Sequence, residues 1–487
     1  MSVETGRITT DVPARMDRLP WSRFHWLVVI GLGTVWILDG IEVTIVGSLS
    51  EALKDPDTGL GLTSSDIGYA GAAYVAGACL GALFFGQLTD RFGRKKLFLL
   101  TLAVYTVATV LTAFSMNIAW YFAARFLTGA GIGGEYAAIN SAIDELIPAK
   151  YRGRIDISIN GSFWIGATIG TLLTIPLTDP NVVSPEIGWR GAFALGAVLA
   201  IGILIVRRTV PESPRWLFIH GREDEAEQVV RDIESKVSAE HGPLADVHET
   251  LTIRQRKTIP FTLIAKTVFT LYPRRTVLCL GLFIGQAFLY NAFFFTFGDT
   301  LSTFYGVTQV GWYIAAFAIS NFLGAVLLGP LFDTVGRVRM IAGTYILSGV
   351  LLALAGIALD GFNAVTLTVA GGVIFFFASA GASSAYLTAS EVFPMETRAL
   401  CIAFFYAVGT AVGGIAGPIL FGRLIENASA DKDITQIALG YFIGAALMIV
   451  GGILAAFLGV RAEGRSLESI AQPLTAEDAD GTSLASR

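Results

Sequence analysis

Gly86-Gln-Leu-Thr-Asp-Arg-Phe-Gly-Arg-Lys-Lys96 sets five charged residues and two glycines between two long apolar runs. So short and basic a stretch between such runs reads as a tight turn joining two membrane helices. A second copy, Gly329-Pro-Leu-Phe-Asp-Thr-Val-Gly-Arg-Val-Arg339, repeats Asp90, Gly93 and Arg94 as Asp333, Gly336 and Arg337, about 243 residues later. Glu145-Leu-Ile-Pro-Ala-Lys-Tyr-Arg152 returns in the same way as Glu391-Val-Phe-Pro-Met-Glu-Thr-Arg398. The chain therefore reads as a duplication.

Composition agrees with a membrane protein: 53% of the 487 residues are hydrophobic and 15% charged, against roughly 25% charged in soluble domains. Apolar runs predict spans at 25–48, 66–88, 97–115, 119–140, 156–178, 189–207, 276–298, 309–330, 339–359, 363–388, 399–422 and 435–459, each near the ~20 residues a crossing helix needs. The first run is long enough to cross and lacks a cleavage pattern, so it is expected to remain a span. The expected fold is an all-α integral membrane protein of about twelve transmembrane helices in two pseudo-symmetric six-helix bundles. Residues 1–24 form a tail, 25–207 the first bundle, 208–275 a linker with amphipathic helices, 276–460 the second bundle and 461–487 a second tail. Within the linker, Ala226, Val229, Val230 and Ile233 recur at helical spacing and predict a helix lying against the membrane domain.

Placing both tails, the linker and every even-to-odd connection on one side gathers there all but Lys54, Arg125, Arg190, Arg423 and Lys432 of the 34 Lys and Arg. By the positive-inside rule both termini are cytoplasmic. Many of the 54 glycines fall in small-residue runs such as Gly129-Ala-Gly-Ile-Gly-Gly134. Such runs suit close helix packing and also a sliding interface. Their Gly-x-Gly-x-x-Gly spacings lie inside apolar helices with no strand before them, which excludes a dinucleotide fold. Cys79, Cys279 and Cys401 sit in apolar runs without metal or redox spacing. No Ser/His/Asp or metal-ligand arrangement appears, so neither an enzyme nor a cofactor is expected.

The repeated turns, the two acid-to-arginine segments and Pro211-Glu-Ser-Pro-Arg-Trp-Leu217 together resemble the major facilitator superfamily, in particular its sugar porter and metabolite-proton symporter branch. The resemblance implies a cytoplasmic gate of ion pairs made by Asp90, Arg94, Glu145, Arg152, Asp333, Arg337, Glu391 and Arg398. Those residues could instead anchor helices and set topology.

Charged groups inside a membrane are costly and point to function. Asp39 and Glu42 in Leu38-Asp-Gly-Ile-Glu42 lie three apart on one helix face. Counting ~1.5 Å per residue from the span ends places Asp39 near the midplane and sets Glu42 and Arg125 at matching depth, with Glu135 toward the cytoplasmic side. Proton-coupled sugar porters carry an acid and an arginine at the places of Glu42 and Arg125. The resemblance thus implies that Glu42, Arg125 and Asp39 couple transport to protons, an uncoupled structural ion pair being the other reading. Asp39 also resembles the first acid of the Asp-Gly-x-Asp segment of aromatic-acid symporters; being nearer the expected substrate, it could instead bind a cationic ligand.

For substrate, Gln286, Asn291 and Asn321 fall where sugar porters place hydrogen-bonding amides, with Asn160, Trp164 and Tyr386 as further candidates. Gly381 and Tyr386 stand where that branch carries tryptophans, while Phe293, Phe294 and Phe295 add rings elsewhere. A small organic metabolite other than a hexose thereby becomes a candidate. The expected protein is a monomeric, multi-pass secondary transporter of the cell membrane, moving a sugar, polyol or organic acid with protons. An uncoupled facilitator, a proton-driven exporter and a transporter-like sensor are the alternatives.

Overall fold

The computed structural model describes residues 4–49, 52–53, 55–57, 59–62, 64–177, 179, 181–207, 211–247, 249–256, 265–307, 310–394, 397–431, 433–472 and 474. Long helices follow one another as the apolar runs predict. In the first half these are α1 (Arg23–Ser48), α2 (Ser64–Phe92), α3 (Arg94–Ala113), α4 (Ile118–Leu146), α5 (Arg152–Gly161, continued by Phe163–Leu177) and α6 (Pro185–Arg207). In the second they are α7 (Pro273–Tyr305), α8 (Val310–Thr334), α9 (Arg337–Ala358), α10 (Ala364–Val392), α11 (Arg398–Gly409, a π turn at Thr410–Gly414, then Ile415–Asp431) and α12 (Ala438–Leu458). Among the described residues, nine of these helical stretches are long and apolar enough to cross a membrane by themselves. The others are α4, which carries Arg125, Glu135 and Glu145, α5, broken at Ser162, and α6.

The duplication is visible in the packing. In the first half α2 packs on α4, α1 on α5 and α3 on α6; in the second α8 packs on α10, α7 on α11 and α9 on α12. The bundles meet where α2 and α4 face α11, and where α5 faces α8 and α10. Both basic turns are glycine-dependent, because Gly93 and Gly336 have φ of 100° and 109°, a region costly for residues with a Cβ. Each turn opens the next helix onto an acid from the sequence after its bundle: Glu212 accepts the Lys95 N–H at 3.2 Å and Glu463 the Arg337 N–H at 3.3 Å.

The α2–α4 contact is backbone against backbone. A Cβ on Gly77 or Gly81 would meet the Phe126 or Ala130 carbonyl oxygen at 2.0 or 2.1 Å; one on Gly129 or Gly133 would meet that of Tyr74 or Ala78 at 2.0 Å. Gly324 sits against the Phe376 carbonyl at 1.9 Å by the same test in α8 and α10. Small residues spaced by four thus let paired helices touch along their main chains. Gly129→Val must push the two helices apart, and overpacking of this kind costs ~1–3 kcal/mol or more. A fall of several degrees in melting temperature, or loss of the monodisperse protein on size exclusion, is expected; an unchanged melting curve would contradict this contact.

A small non-helical element departs from the all-helical expectation. Strand β1 (Glu4–Thr10) pairs antiparallel with β2 (Leu251–Arg256) of the linker, joining the N-terminal tail to a segment far along the chain. The linker helix Glu223–His241 buries Ala226, Val230, Ile233 and Val237, with Val229 half-buried. Beyond the expected packing near α1, its charged edge docks the tail helix Val12–Asp17: Arg15 donates to Glu227 at 2.7 Å and to Glu234 at 2.6 Å. Partial burial works against the Glu234 carboxylate, yet hydrogen bonds from Arg15 and Arg18 outweigh it and hold its pKa below the ordinary Glu value.

Candidate functional site

Glu42 and Arg125, separated by 83 positions, meet inside the first bundle. Arg125 Nη1 donates to Glu42 Oε1 at 2.5 Å, and both residues are buried, at 2% and 0% exposure. Tyr105 donates to the other Glu42 oxygen at 3.4 Å. The guanidinium also lies over the Tyr74 ring, 4.8 Å from its centroid. Removing two charges from water costs several kcal/mol per ion, and a short pair with further hydrogen bonds is the arrangement that offsets this cost.

Tyr74 faces a cavity of about 180 Å³ between the bundles. That is below the ~300–1,000 Å³ of pockets for drug-sized ligands, so it is scaled to a small molecule. Helices α1, α2, α4 and α5 line it from one half, α7, α10 and α11 from the other. Its walls are rings. Trp36 stacks on Tyr136 at 4.6 Å and 9°, with Tyr386 and Tyr406 edge-on to Tyr136 at 6.2 and 4.8 Å; opposite them Trp164 lies 5.5 Å from Tyr290. Among the described residues no Asp, Glu, Lys or Arg lines the cavity. Its polar groups include Asn160, Gln286, Asn291, Ser383 and Thr410.

Several of these groups retain hydrogen-bonding capacity among the described residues. Neither Trp36 Nε1 nor Asn160 Oδ1 has a partner, whereas Asn160 Nδ2 donates to Asn140 at 3.1 Å and to the Asp156 carbonyl at 2.8 Å. Asn291 donates to the Ala287 carbonyl at 2.8 Å, leaving its amide oxygen as an acceptor. Rings supply flat apolar faces, and the indole N–H and amides supply directional contacts at their edges.

Five of the six substrate candidates, Gln286, Asn291, Asn160, Trp164 and Tyr386, line this cavity. Asn321 does not. It is fully buried behind Tyr290, accepting the Tyr290 hydroxyl at 2.9 Å and donating to the Phe317 carbonyl at 3.0 Å. Its amide is committed to orienting a ring that does line the cavity. Phe293 likewise packs against Phe297, Phe317 and Phe375 instead of the cavity, and the side chains of Phe294 and Phe295 lie outside the described residues. Sequence reading missed Trp36, Tyr74, Tyr136, Tyr290 and Tyr406. Position offered a signal for two: Trp36 is one turn before Asp39 and Tyr290 one turn after Gln286, each on a shared helix face.

At the end bearing the basic turns, charged side chains bridge the two halves. Asp333 of α8 accepts the Gly153 and Arg154 N–H groups at 3.2 and 2.9 Å, so an acid of the second half caps α5 of the first. Arg337 donates to Asp333 at 2.8 Å and to both oxygens of Glu391 at 2.9 and 3.0 Å. Arg152 lies 3.9 Å from Glu391, and Arg398 lies 3.7 Å from Glu145, each pair crossing between halves. The tails join in: Arg152 donates to Asp17 and to the Arg465 carbonyl, each at 3.3 Å, while Arg215 of the linker lies 3.3 Å from both Asp17 and Glu468. The side chains of Asp90 and Arg94 lie outside the described residues.

Two six-helix bundles around a shared central cavity, with ion pairs between the halves at one end, define a membrane transporter of the major facilitator superfamily. Comparison with known proteins agrees: the chain belongs to the family described as "Sugar (and other) transporter", whose model matches residues 39–474. It is 30% identical over 465 residues to the niacin transporter NiaP of Acinetobacter baylyi, covering 94% of this chain and 99% of that one. With the 4-hydroxybenzoate transporter PcaK of the same organism it shares 26% identity over 431 residues, 86% of this chain and 90% of the other. Among solved structures, the proton:xylose symporter XylE bound to 6-bromo-6-deoxy-D-glucose superposes with a TM-score of 0.74 at 19% identity, covering 92% of this chain and 98% of that one.

Proposed function

We propose that this chain is a proton symporter for a small single-ring organic acid, working by alternating access in the cell membrane with its basic end and both termini cytoplasmic. The cavity carries the substrate assignment: about 180 Å³, walled by aromatic rings, with amides and an indole N–H for ring substituents and no charged lining residue among those described. Niacin and 4-hydroxybenzoate, named for two relatives, are single-ring acids. An anion entering so uncharged a space is favoured when a proton travels with it, because the pair adds no net charge to a dry site. Glu42 and Arg125 supply the proton site, Trp164, Tyr386, Gln286, Asn291 and Asn160 contact the substrate, and Tyr74 touches both.

Purified protein in liposomes, offered nicotinate, 4-hydroxybenzoate, xylose and glucose with and without an acid-outside gradient, tests this. A ring acid should accumulate only with the gradient. Accumulation of a sugar alone would overturn the substrate class, gradient-independent equilibration would indicate a facilitator, and no transport of any compound would favour the sensor. Trp164→Ala removes one ring wall and should weaken apparent affinity for the ring acid about tenfold, the equivalent of ~1.4 kcal/mol. Unchanged half-saturation would take Trp164 off the substrate.

A further inference from the structure

The helix of the N-terminal tail ends in a carboxylate set between two buried arginine side chains. Asp17 Oδ1 accepts from Arg152 Nη2 at 3.3 Å, and Asp17 Oδ2 lies 3.3 Å from Arg215 Nη2. Each guanidinium also holds the C-terminal tail: Arg152 donates to the Arg465 carbonyl at 3.3 Å, and Arg215 Nε lies 3.3 Å from Glu468. The two tails are anchored on opposite halves. Arg15 and Arg18 of the first bond Glu227 and Glu234 of the linker helix, and Thr9 shares a hydrogen bond of 2.8 Å with Thr252 across the β1–β2 ribbon. The linker is tied in turn to the first half, where Glu212 accepts the Lys95 N–H of α3 at 3.2 Å and Glu240 the Arg23 N–H of α1 at 3.1 Å. The second tail is fixed to the other half: Glu463 accepts the Arg337 N–H at 3.3 Å, and the Ile470 carbonyl accepts from Arg275 of α7 at 2.9 Å.

Guanidinium groups taken out of water repel one another, and a carboxylate set between them offsets the repulsion and fixes where both point. Pointed as they are, Arg152 and Arg215 grip the backbone of one C-terminal residue and the carboxylate of another. On the alternating-access reading above, the bundles must part at the basic end, and these two grips cross the line along which they part. We propose that Asp17 is a positioning residue that makes the N-terminal tail a clasp across the basic end. Placed between Arg152 and Arg215, it holds both on the C-terminal tail, and opening of that end has to release them. Residues 4–17 lie before residue 39, where the match to the family model begins, so that match assigns them no role. The gating half of the proposal rests on alternating access, whereas the contact between the tails does not.

Hydrogen–deuterium exchange of the full chain in liposomes, read by mass spectrometry without substrate, tests the clasp apart from transport. Asp17→Asn keeps the shape and removes the charge, and should speed exchange of the C-terminal amides 463–471 roughly fivefold, the low end of what coupling between sites supplies. Glu468→Gln should in turn speed exchange in the tail helix Val12–Asp17, because coupling through Arg215 is reciprocal. Either variant suffices if the other fails to fold, and loosening confined to the substituted tail would overturn the clasp. Ser383→Cys then reads the gate. With Asp17→Asn an impermeant thiol reagent should label it roughly fivefold faster in inside-out vesicles and more slowly in right-side-out ones, an opposed change that unfolding does not produce. If Glu391→Gln speeds labelling in inside-out vesicles and Asp17→Asn does not, the clasp has no part in gating. If neither does, alternating access at this end fails and the gating role falls with it, while the exchange result still decides the contact between the tails.

Discussion

Glu42→Gln is expected to abolish accumulation of substrate against a gradient while leaving exchange of labelled for unlabelled substrate across the membrane intact. The argument starts from the 2.5 Å contact between Arg125 Nη1 and Glu42, in a site where both residues are buried. While the contact lasts, the guanidinium offsets the desolvation of the carboxylate. When the helices move and it breaks, an unpaired ion would remain, at a cost of ~3–5 kcal/mol, and uptake of a proton by Glu42 removes that cost. Glutamine keeps the shape and can still accept from Arg125 and Tyr105, but it has no proton to take up or release. The link from proton to substrate is short, because Tyr74 lies under the Arg125 guanidinium and also faces the cavity. Wild-type accumulation with unchanged proton dependence in Glu42→Gln would move coupling to another group.

Glu391→Gln should open the basic end. Glu391 is 1% exposed, receives two hydrogen bonds from Arg337 and lies 3.9 Å from Arg152 of the other half. Its neutralisation leaves two buried guanidinium groups short of counter-charge in the closed state, whereas water can reach them when the end opens. A penalty of roughly 3 kcal/mol on the closed state shifts the balance between states roughly a hundredfold. A cysteine placed in the cavity wall by Ser383→Cys reports the change, with Cys79, Cys279 and Cys401 all buried. In inside-out vesicles, an impermeant thiol reagent should label it at least tenfold faster with Glu391→Gln than without. Equal rates would reduce these ion pairs to topology signals.

The bundle architecture was legible because its causes are local or repeated. Apolar runs of fixed length, glycines forced by positive φ at Gly93 and Gly336, and duplicated charges all leave marks that need no tertiary knowledge. Matching Glu42 to Arg125 required only counting depth along two antiparallel spans. The cavity was harder to read. An amide such as Asn321 and one such as Gln286 look alike in sequence, yet rotation about the helix axis turns the first onto Tyr290 and the second into the cavity. Aromatic residues are everywhere in apolar helices, so the box of Trp36, Tyr136, Tyr386 and Tyr406 emerges only when four helices from both halves converge. The β1–β2 ribbon was invisible for a related reason: its strands are some 240 residues apart in the chain, so the pairing has no local cause to read.

Coupling of a ring acid to protons through a single carrier is tested most directly by following pH outside weakly buffered proteoliposomes as the accumulated ring acid is added. The proposed symport requires the outside to become alkaline as substrate enters, with Glu42→Gln giving no pH change under the same conditions. Entry of labelled substrate into wild-type liposomes with no movement of protons would contradict it.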